Sequence, residues 1–98
     1  MVRRLSSKQI IELLREYKDK IQHFKVKKIG LFGSFLKGTA NSKSDIDLLV
    51  EFETTTFDNY MDLKFFLERL FKRKVDIVIE SNLKKQIQYV KEEAVYVS

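Results

Sequence analysis

Residues 29–50, IGLFGSFLKGTANSKSDIDLLV, decide how this chain folds. The stretch contains all three glycines of the protein, and its first apolar run stops at Gly33-Ser34. Asp45-Ile46-Asp47 follows after ten intervening residues, at the start of a second apolar run. A glycine turn that faces two carboxylates is typical of a site that holds a phosphate group beside a metal ion. We interpret the rest of the chain as structural support for this glycine turn and these two carboxylates.

Length and composition limit the class of protein. Ninety-eight residues predict one domain, spanning 1–98. The absence of cysteine excludes disulfides, thiolate metal sites and cysteine nucleophiles, and it suits a reducing cytoplasm. No apolar run approaches the roughly 20 residues that cross a bilayer, and the basic N-terminus leads into an amphipathic segment. We therefore expect neither a signal peptide nor a membrane partner.

The net charge of +5 is unevenly distributed along the chain. Residues 31–62 hold six acidic and two basic side chains, whereas both flanking segments are basic. A uniform nucleic-acid-binding surface does not need an acidic centre, but a cation site approached by a polyanion does. Nucleic acid is therefore not the favoured partner.

Hydrophobic periodicity predicts the element order α-β-β-α-β-α-β. Ser6 and Gln9 form a capping box for a helix over residues 6–22, and Thr56 caps a second helix over residues 57–72. The remaining predicted elements are strands over residues 26–32, 46–52, 75–80 and 95–97 and a helix over residues 83–93. This order indicates an α/β (α+β) domain with a small mixed sheet and helices mainly on one face.

The turn after the first predicted strand is a candidate anion site. Ser34 is predicted to cap a short helical turn that ends at Gly38, which would direct backbone N–H groups towards an anion. Gly33 and Gly38 have the spacing of a P-loop, but Thr39 occupies the position at which a P-loop has lysine. We therefore reject a P-loop, and Lys37 remains a candidate positive charge at a different backbone position.

Three aspartates form the candidate metal site. Asp45 and Asp47 lie on one face of the second strand, about 7 Å apart at their Cα atoms. Asp76 occupies a similar place in the third strand and could reach the same site from there. Unpaired carboxylates at the edge of an apolar strand repel each other, and a cation removes that cost. The alternative for Asp45 and Asp47 is a solvated strand end, whereas all three carboxylates together would hold two metal ions.

These residues resemble the minimal nucleotidyltransferases of the polymerase-beta-like superfamily. The resemblance rests on LFGS at 31–34, GTA at 38–40 and SDIDLLV at 44–50, with Asp76 in a later strand, and it extends over nearly the whole chain. Relatives often have an arginine between Ser34 and Gly38, for which Lys37 is the candidate substitute. The resemblance implies that the residues which bind two Mg²⁺ ions and act in catalysis are Asp45, Asp47 and Asp76, and that the nucleotide is bound by Gly33, Ser34, Lys37 and Gly38.

The resemblance also implies Mg²⁺-dependent transfer of AMP from ATP to a hydroxyl group. Many small relatives occur beside a HEPN-domain toxin, where the nucleotidyltransferase acts as antitoxin by transferring AMP to a tyrosine of the toxin. The second domain of larger relatives is missing from this chain, which points to a separate partner that supplies the acceptor. We therefore expect a cytoplasmic antitoxin, and the sequence leaves a homodimer open. Two alternatives remain: a non-catalytic binding module, and nucleotidyl transfer to a small molecule or an RNA end.

Overall fold

The computed structural model describes residues 5–41, 43–79 and 94–97. The predicted helix over residues 83–93 and the predicted strand residue Glu80 lie outside the described residues. In chain order, the described elements are α1 (Ser7–Glu16), α2 (Lys18–Gln22), β1 (Val26–Phe32), α3 (Ser34–Lys37), β2 (Ile46–Phe52), α4 (Phe57–Phe71), β3 (Val75–Ile79) and β4 (Val95–Tyr96).

The four described strands form one mixed sheet in the order β3-β2-β1-β4. β1 runs antiparallel to both β2 and β4, whereas β2 and β3 are parallel. Tyr96 of β4 packs over Gly30 of β1, where a Cβ atom would lie 3.0 Å from the tyrosine ring. Glycine therefore permits the close approach that the sequence suggested at this position. The mixed sheet and the predicted bounds of β1 and β2 are confirmed.

The hydrophobic core lies on the face of the sheet that α1 and α4 cover, where α1 contacts β1 and α4 contacts β3. Alternate residues of β2 are buried together with apolar side chains of the two helices; the set includes Ile46, Leu48, Val50, Leu14 and Leu67. Successive side chains of a strand point to opposite faces, so Asp47 projects away from this core. This alternation lets the second residue of a largely apolar strand be a carboxylate without placing it in the core.

The first helical segment differs from the prediction, which was wrong to continue one helix through residues 6–22. The capping box is present, since Ser6 Oγ accepts from the Gln9 N–H at 3.1 Å and Gln9 Oε1 accepts from the Ser6 N–H at 2.9 Å. The helix breaks at Tyr17, whose φ and ψ of −98° and 20° are not helical. The Tyr17 ring packs edge-on against Phe66 at 6.0 Å, a contact between elements that periodicity does not reveal.

No helix within the described ranges has both the length and the apolar character to traverse a lipid bilayer.

Helix α4 begins as predicted, with Thr56 Oγ1 accepting from the Asn59 N–H at 3.0 Å. It ends at Phe71, and the C-cap residue Lys72 is exposed and has a left-handed conformation with φ 54° and ψ 42°. Glycine is the preferred residue at such a position because it has no Cβ to clash. We expect Lys72→Gly to raise the free energy of unfolding by roughly 0.5–1 kcal/mol, measured by urea denaturation.

The matched control for this substitution is Lys64→Gly, which places the same residue within α4. It should lower the free energy of unfolding by about 1 kcal/mol, because glycine is a poor helix former. A loss of stability in Lys72→Gly would contradict the assignment of strain to the left-handed lysine.

Candidate active site

The candidate site lies at the edge of the sheet where β1 ends and the parallel strands β2 and β3 begin. Phe32, the last residue of β1, is paired with Asp47 of β2. Asp47 is in turn paired with Asp76 of β3. Adjacent strands are separated by about 4.8 Å, and paired residues project their side chains to the same face. The fold thus brings Asp47 and Asp76 together, as the sequence predicted.

The three aspartates differ in their exposure. Asp47 is half-buried, whereas Asp76 and Asp45 are exposed, and Asp45 lies just outside the strand. Burial raises the pKa of the Asp47 carboxyl above its usual value, and the negative charges of Asp76 and then Asp45 raise it further. The carboxylates of Asp45 and Asp76 are therefore close enough to Asp47 to disfavour its ionisation.

Gly33 is in direct contact with Asp47. The glycine has φ 78° and ψ −153°, a combination that is essentially restricted to glycine. A Cβ at this position would collide with the Asp47 carboxylate oxygen Oδ2 and would lie 3.0 Å from both Asp47 Cβ and Asp47 Cγ. The backbone of the turn and the carboxylate of β2 therefore pack together only because residue 33 has no side chain.

The turn after Gly33 is the short helix α3, and its cap differs from the prediction. Gly33 is the N-cap, and the structure shows no side-chain hydrogen bond at this cap; Ser34 is the first helical residue and is half-buried. Gly38 closes the helix in a left-handed conformation with φ 77°, and the Thr39 N–H donates to the Ser34 carbonyl at 3.0 Å. The prediction that Ser34 caps the turn was wrong because the extended chain of β1 continues through Phe32 and reverses only at Gly33. Lys37 is exposed at the end of α3.

Arg73 is a residue beside the site that sequence analysis did not single out. Its Nη1 donates to the Ser44 carbonyl at 3.0 Å and to the Asn41 carbonyl at 3.4 Å. Its guanidinium lies over the Phe35 ring, with Cζ 5.2 Å from the ring centroid. In the sequence it is the middle residue of Lys72-Arg73-Lys74, and nothing in that run distinguishes it from its neighbours.

The donor set at this edge suits a hard divalent cation. Aspartate oxygens are the ligands that Mg²⁺ prefers, and a cation would relieve the repulsion that raises the pKa of Asp47. Within the described ranges, however, no group of three or more acidic or histidine side chains is arranged so that it could hold a metal ion by itself.

Comparison with known proteins connects this geometry to an enzyme family. Residues 10–97 match the sequence profile of the nucleotidyltransferase domain. The chain belongs to the nucleotidyltransferase family. The resemblance found in the sequence is thereby confirmed, and so is the enzyme class.

Relatives of this nucleotidyltransferase match it over most of their own length. The protein adenylyltransferase MntA of Thermococcus cleftensis is 38% identical over 96 residues, which cover 95% of this chain and 97% of that protein. A solved structure assigned as a minimal nucleotidyltransferase has a TM-score of 0.72 at 34% identity and covers 87% of this chain and 93% of that one. A structure of a toxin–antitoxin with AMP-PNP has a TM-score of 0.67 at 25% identity, over 84% of this chain and 70% of that one. These similarities confirm the fold class.

Proposed function

We propose that this nucleotidyltransferase transfers AMP from ATP to a tyrosine hydroxyl of a HEPN-type toxin and thereby acts as its antitoxin in the cytoplasm. The observation that carries the proposal is the pairing of Asp47 with Asp76 beside Gly33. It occurs in a chain that is 38% identical to a protein adenylyltransferase. The similarity to a toxin–antitoxin structure with AMP-PNP supports both the adenine nucleotide and a toxin as the partner.

The reaction forms one bond and breaks another at the α-phosphorus. The acceptor oxygen bonds to the α-phosphorus of ATP, the bond between the α-phosphorus and the bridging oxygen to the β-phosphorus breaks, and pyrophosphate leaves. The proton of the hydroxyl passes to a carboxylate, and we assign this base to Asp76, which is exposed and therefore accessible to an acceptor. The products are an AMP-tyrosine phosphodiester and pyrophosphate.

The remaining site residues hold the nucleotide in this proposal. The turn from Gly33 to Gly38 lies beside Asp47, and its first residues offer backbone N–H groups and the Ser34 hydroxyl to the phosphates. Lys37, exposed at the end of α3, contributes a positive charge. Asp45, Asp47 and Asp76 would hold Mg²⁺, which supplies Lewis-acid stabilisation of the charge that develops on the phosphates.

The proposal is tested by incubating the protein with Mg²⁺, a cognate HEPN toxin and each of four nucleotides labelled on the α-phosphate. We expect label on the toxin from ATP alone, and loss of that label when the acceptor tyrosine of the toxin is replaced with phenylalanine. Asp62→Asn is the control for removing a carboxylate of the site, as in Asp47→Asn. It removes an exposed carboxylate from α4 and should retain activity. Absence of transfer from all four nucleotides, with the toxin still neutralised, would instead favour the non-catalytic binding module.

A further inference from the structure

Asp45 has the least structural support of the three aspartates. It is exposed, it lies outside β2, and it follows a turn that Asn41 opens and Ser44 closes. The turn has its own hydrogen bonds, since the Asn41 N–H donates to Ser44 Oγ at 2.9 Å and the Ser44 N–H donates to the Asn41 carbonyl at 3.1 Å. These bonds give the turn its shape but do not fix its place against the sheet.

Hydrogen bonds with the segment that precedes β3 fix the place of this turn, and two of them hold the residues on either side of Asp45. The residue after Asp45 is held by its backbone, because the Ile46 N–H donates to the Lys74 carbonyl at 3.0 Å. The residue before Asp45 is held by a side chain, because Arg73 Nη1 donates to the Ser44 carbonyl at 3.0 Å. Asp45 is therefore bracketed on both sides by bonds to consecutive residues of the segment that leads to Asp76.

The guanidinium of Arg73 also contacts α3, in the turn from Gly33 to Gly38. It lies over the ring of Phe35 in α3, while its edge donates to the carbonyls of Asn41 and Ser44. A planar guanidinium can stack on a ring and donate in its own plane at the same time, which the compact ammonium of lysine cannot do. One side chain thus connects α3, the turn before Asp45 and the segment before β3.

We propose that Arg73 is a positioning residue, which holds Asp45 against the Asp47–Asp76 pair by fixing the Ser44 carbonyl. This inference rests on the proposed function for its effect on transfer, but its structural part does not. A displacement of about 1 Å in a catalytic group can cost on the order of a hundredfold in rate. We therefore expect Arg73→Gln to lower kcat for AMP transfer by roughly 10–100-fold, with a small effect on KM for ATP.

Three variants separate positioning from charge. Arg73→Gln removes the guanidinium, and Arg73→Lys keeps the charge but not the planar fork. Lys74→Ala removes a neighbouring positive charge while keeping the backbone carbonyl that accepts from Ile46. We expect Arg73→Lys to restore kcat only in part and Lys74→Ala to match the unmodified protein.

Amide hydrogen exchange provides a readout that does not depend on activity. The reporters are the N–H groups of Asn41, Lys43 and Ser44, which are hydrogen-bonded within the turn. They also report on Arg73, because its guanidinium binds the carbonyls at both ends of the turn, those of Asn41 and Ser44, and its loss would let the turn open more often. Their exchange should accelerate about tenfold or more in Arg73→Gln and stay unchanged in Lys74→Ala, while amides of β1 and α4 keep their protection in both.

The outcomes distinguish a positioning role of Arg73 from a role in binding phosphate. A rise in KM for ATP with unchanged exchange in the turn would make Arg73 a phosphate-binding residue and overturn the proposal. Full activity of Arg73→Gln would overturn it as well. If the unmodified protein transfers no nucleotide to the toxin, the proposed function fails, and unchanged exchange in Arg73→Gln would then overturn the positioning role independently.

Discussion

Replacing Asp47 with asparagine is expected to abolish AMP transfer and, at neutral pH, to make the folded protein more stable. The rate should fall by roughly 10²–10³-fold or more, because the half-buried member of the acidic pair is lost. Stability should rise because the folded protein confines the Asp47 charge in a partly dry environment beside the charges of Asp76 and Asp45. Replacing a residue that only supports the fold would not lower the rate of AMP transfer while raising the free energy of unfolding.

The pH dependence of stability follows from the raised pKa of Asp47. The pKa of an aspartate in the unfolded chain is about 3.9, and that of Asp47 in the folded chain is higher. Between these two values the folded protein binds more protons than the unfolded one, so the free energy of unfolding falls as the pH rises. The gain in the free energy of unfolding of Asp47→Asn over the unmodified protein should therefore be absent below the unfolded pKa. It should grow between the unfolded and the folded pKa and stay constant at higher pH.

Urea denaturation across this pH range measures the effect, with Asp62→Asn as the control for removal of an exposed carboxylate. A second measurement adds Mg²⁺ at neutral pH, which should raise the thermal midpoint of the unmodified protein and shift that of Asp47→Asn far less. If Asp47→Asn is instead less stable at neutral pH, the carboxylate makes a net favourable contact, and the case for a cation at this edge is lost.

The parts of this fold that depend on local chemistry could be predicted from the sequence. Alternating and apolar runs gave the bounds of β1 and β2, and the hydroxyl of Thr56 located the start of α4. The approach of Asp76 to Asp47 was also predicted, since each aspartate lies near the start of its strand, whereas the parallel register that pairs them is visible only in the structure. Periodicity and capping act over a few residues, and a sequence displays them directly.

The parts that depend on distant contacts could not be predicted. The break at Tyr17 accompanies its packing against Phe66, which belongs to another helix. The bonds from Arg73 to Ser44 and Asn41 join residues that are 29 and 32 positions apart. No local pattern records such contacts, so the sequence predicted two strands that bring aspartates together but not the arginine that fixes the turn before one of them.

Replacing Gly33 with alanine is expected to destabilise the protein more than replacing any of the three aspartates with asparagine. The residue would keep a φ of 78° that alanine rarely adopts, and its Cβ would collide with the Asp47 carboxylate. Backbone strain of this kind costs roughly 1–3 kcal/mol, and forced packing adds a comparable amount. We expect the free energy of unfolding to fall by roughly 2–5 kcal/mol. Transfer should be lost even at temperatures where the variant remains folded, because Asp47 must move.

Gly38→Ala is the matched control, because it shares the positive φ but not the collision. Gly38 has φ 77°, and, its chain neighbours and its own helix apart, no atom of the described residues lies within 4 Å of the Cβ that alanine would add. Only strain opposes this substitution, so its cost should be about 1 kcal/mol, and Asp47 should stay in place. Equal losses in the two variants would show that contact with Asp47 adds nothing to the requirement for glycine at position 33.

The double variant Gly33→Ala, Asp47→Ala separates the two contributions. Truncating Asp47 removes Cγ and Oδ2, two of the three atoms nearest to the new Cβ, but leaves the backbone strain and the Asp47 Cβ at 3.0 Å. We expect the double variant to be more stable than the sum of the single effects predicts, by roughly 1–2 kcal/mol in a urea-denaturation cycle. Strict additivity would mean that the turn and the carboxylate are energetically independent. A positive coupling would mean that glycine is required at position 33 because the turn from Gly33 to Gly38 and the carboxylate of Asp47 share one packed contact.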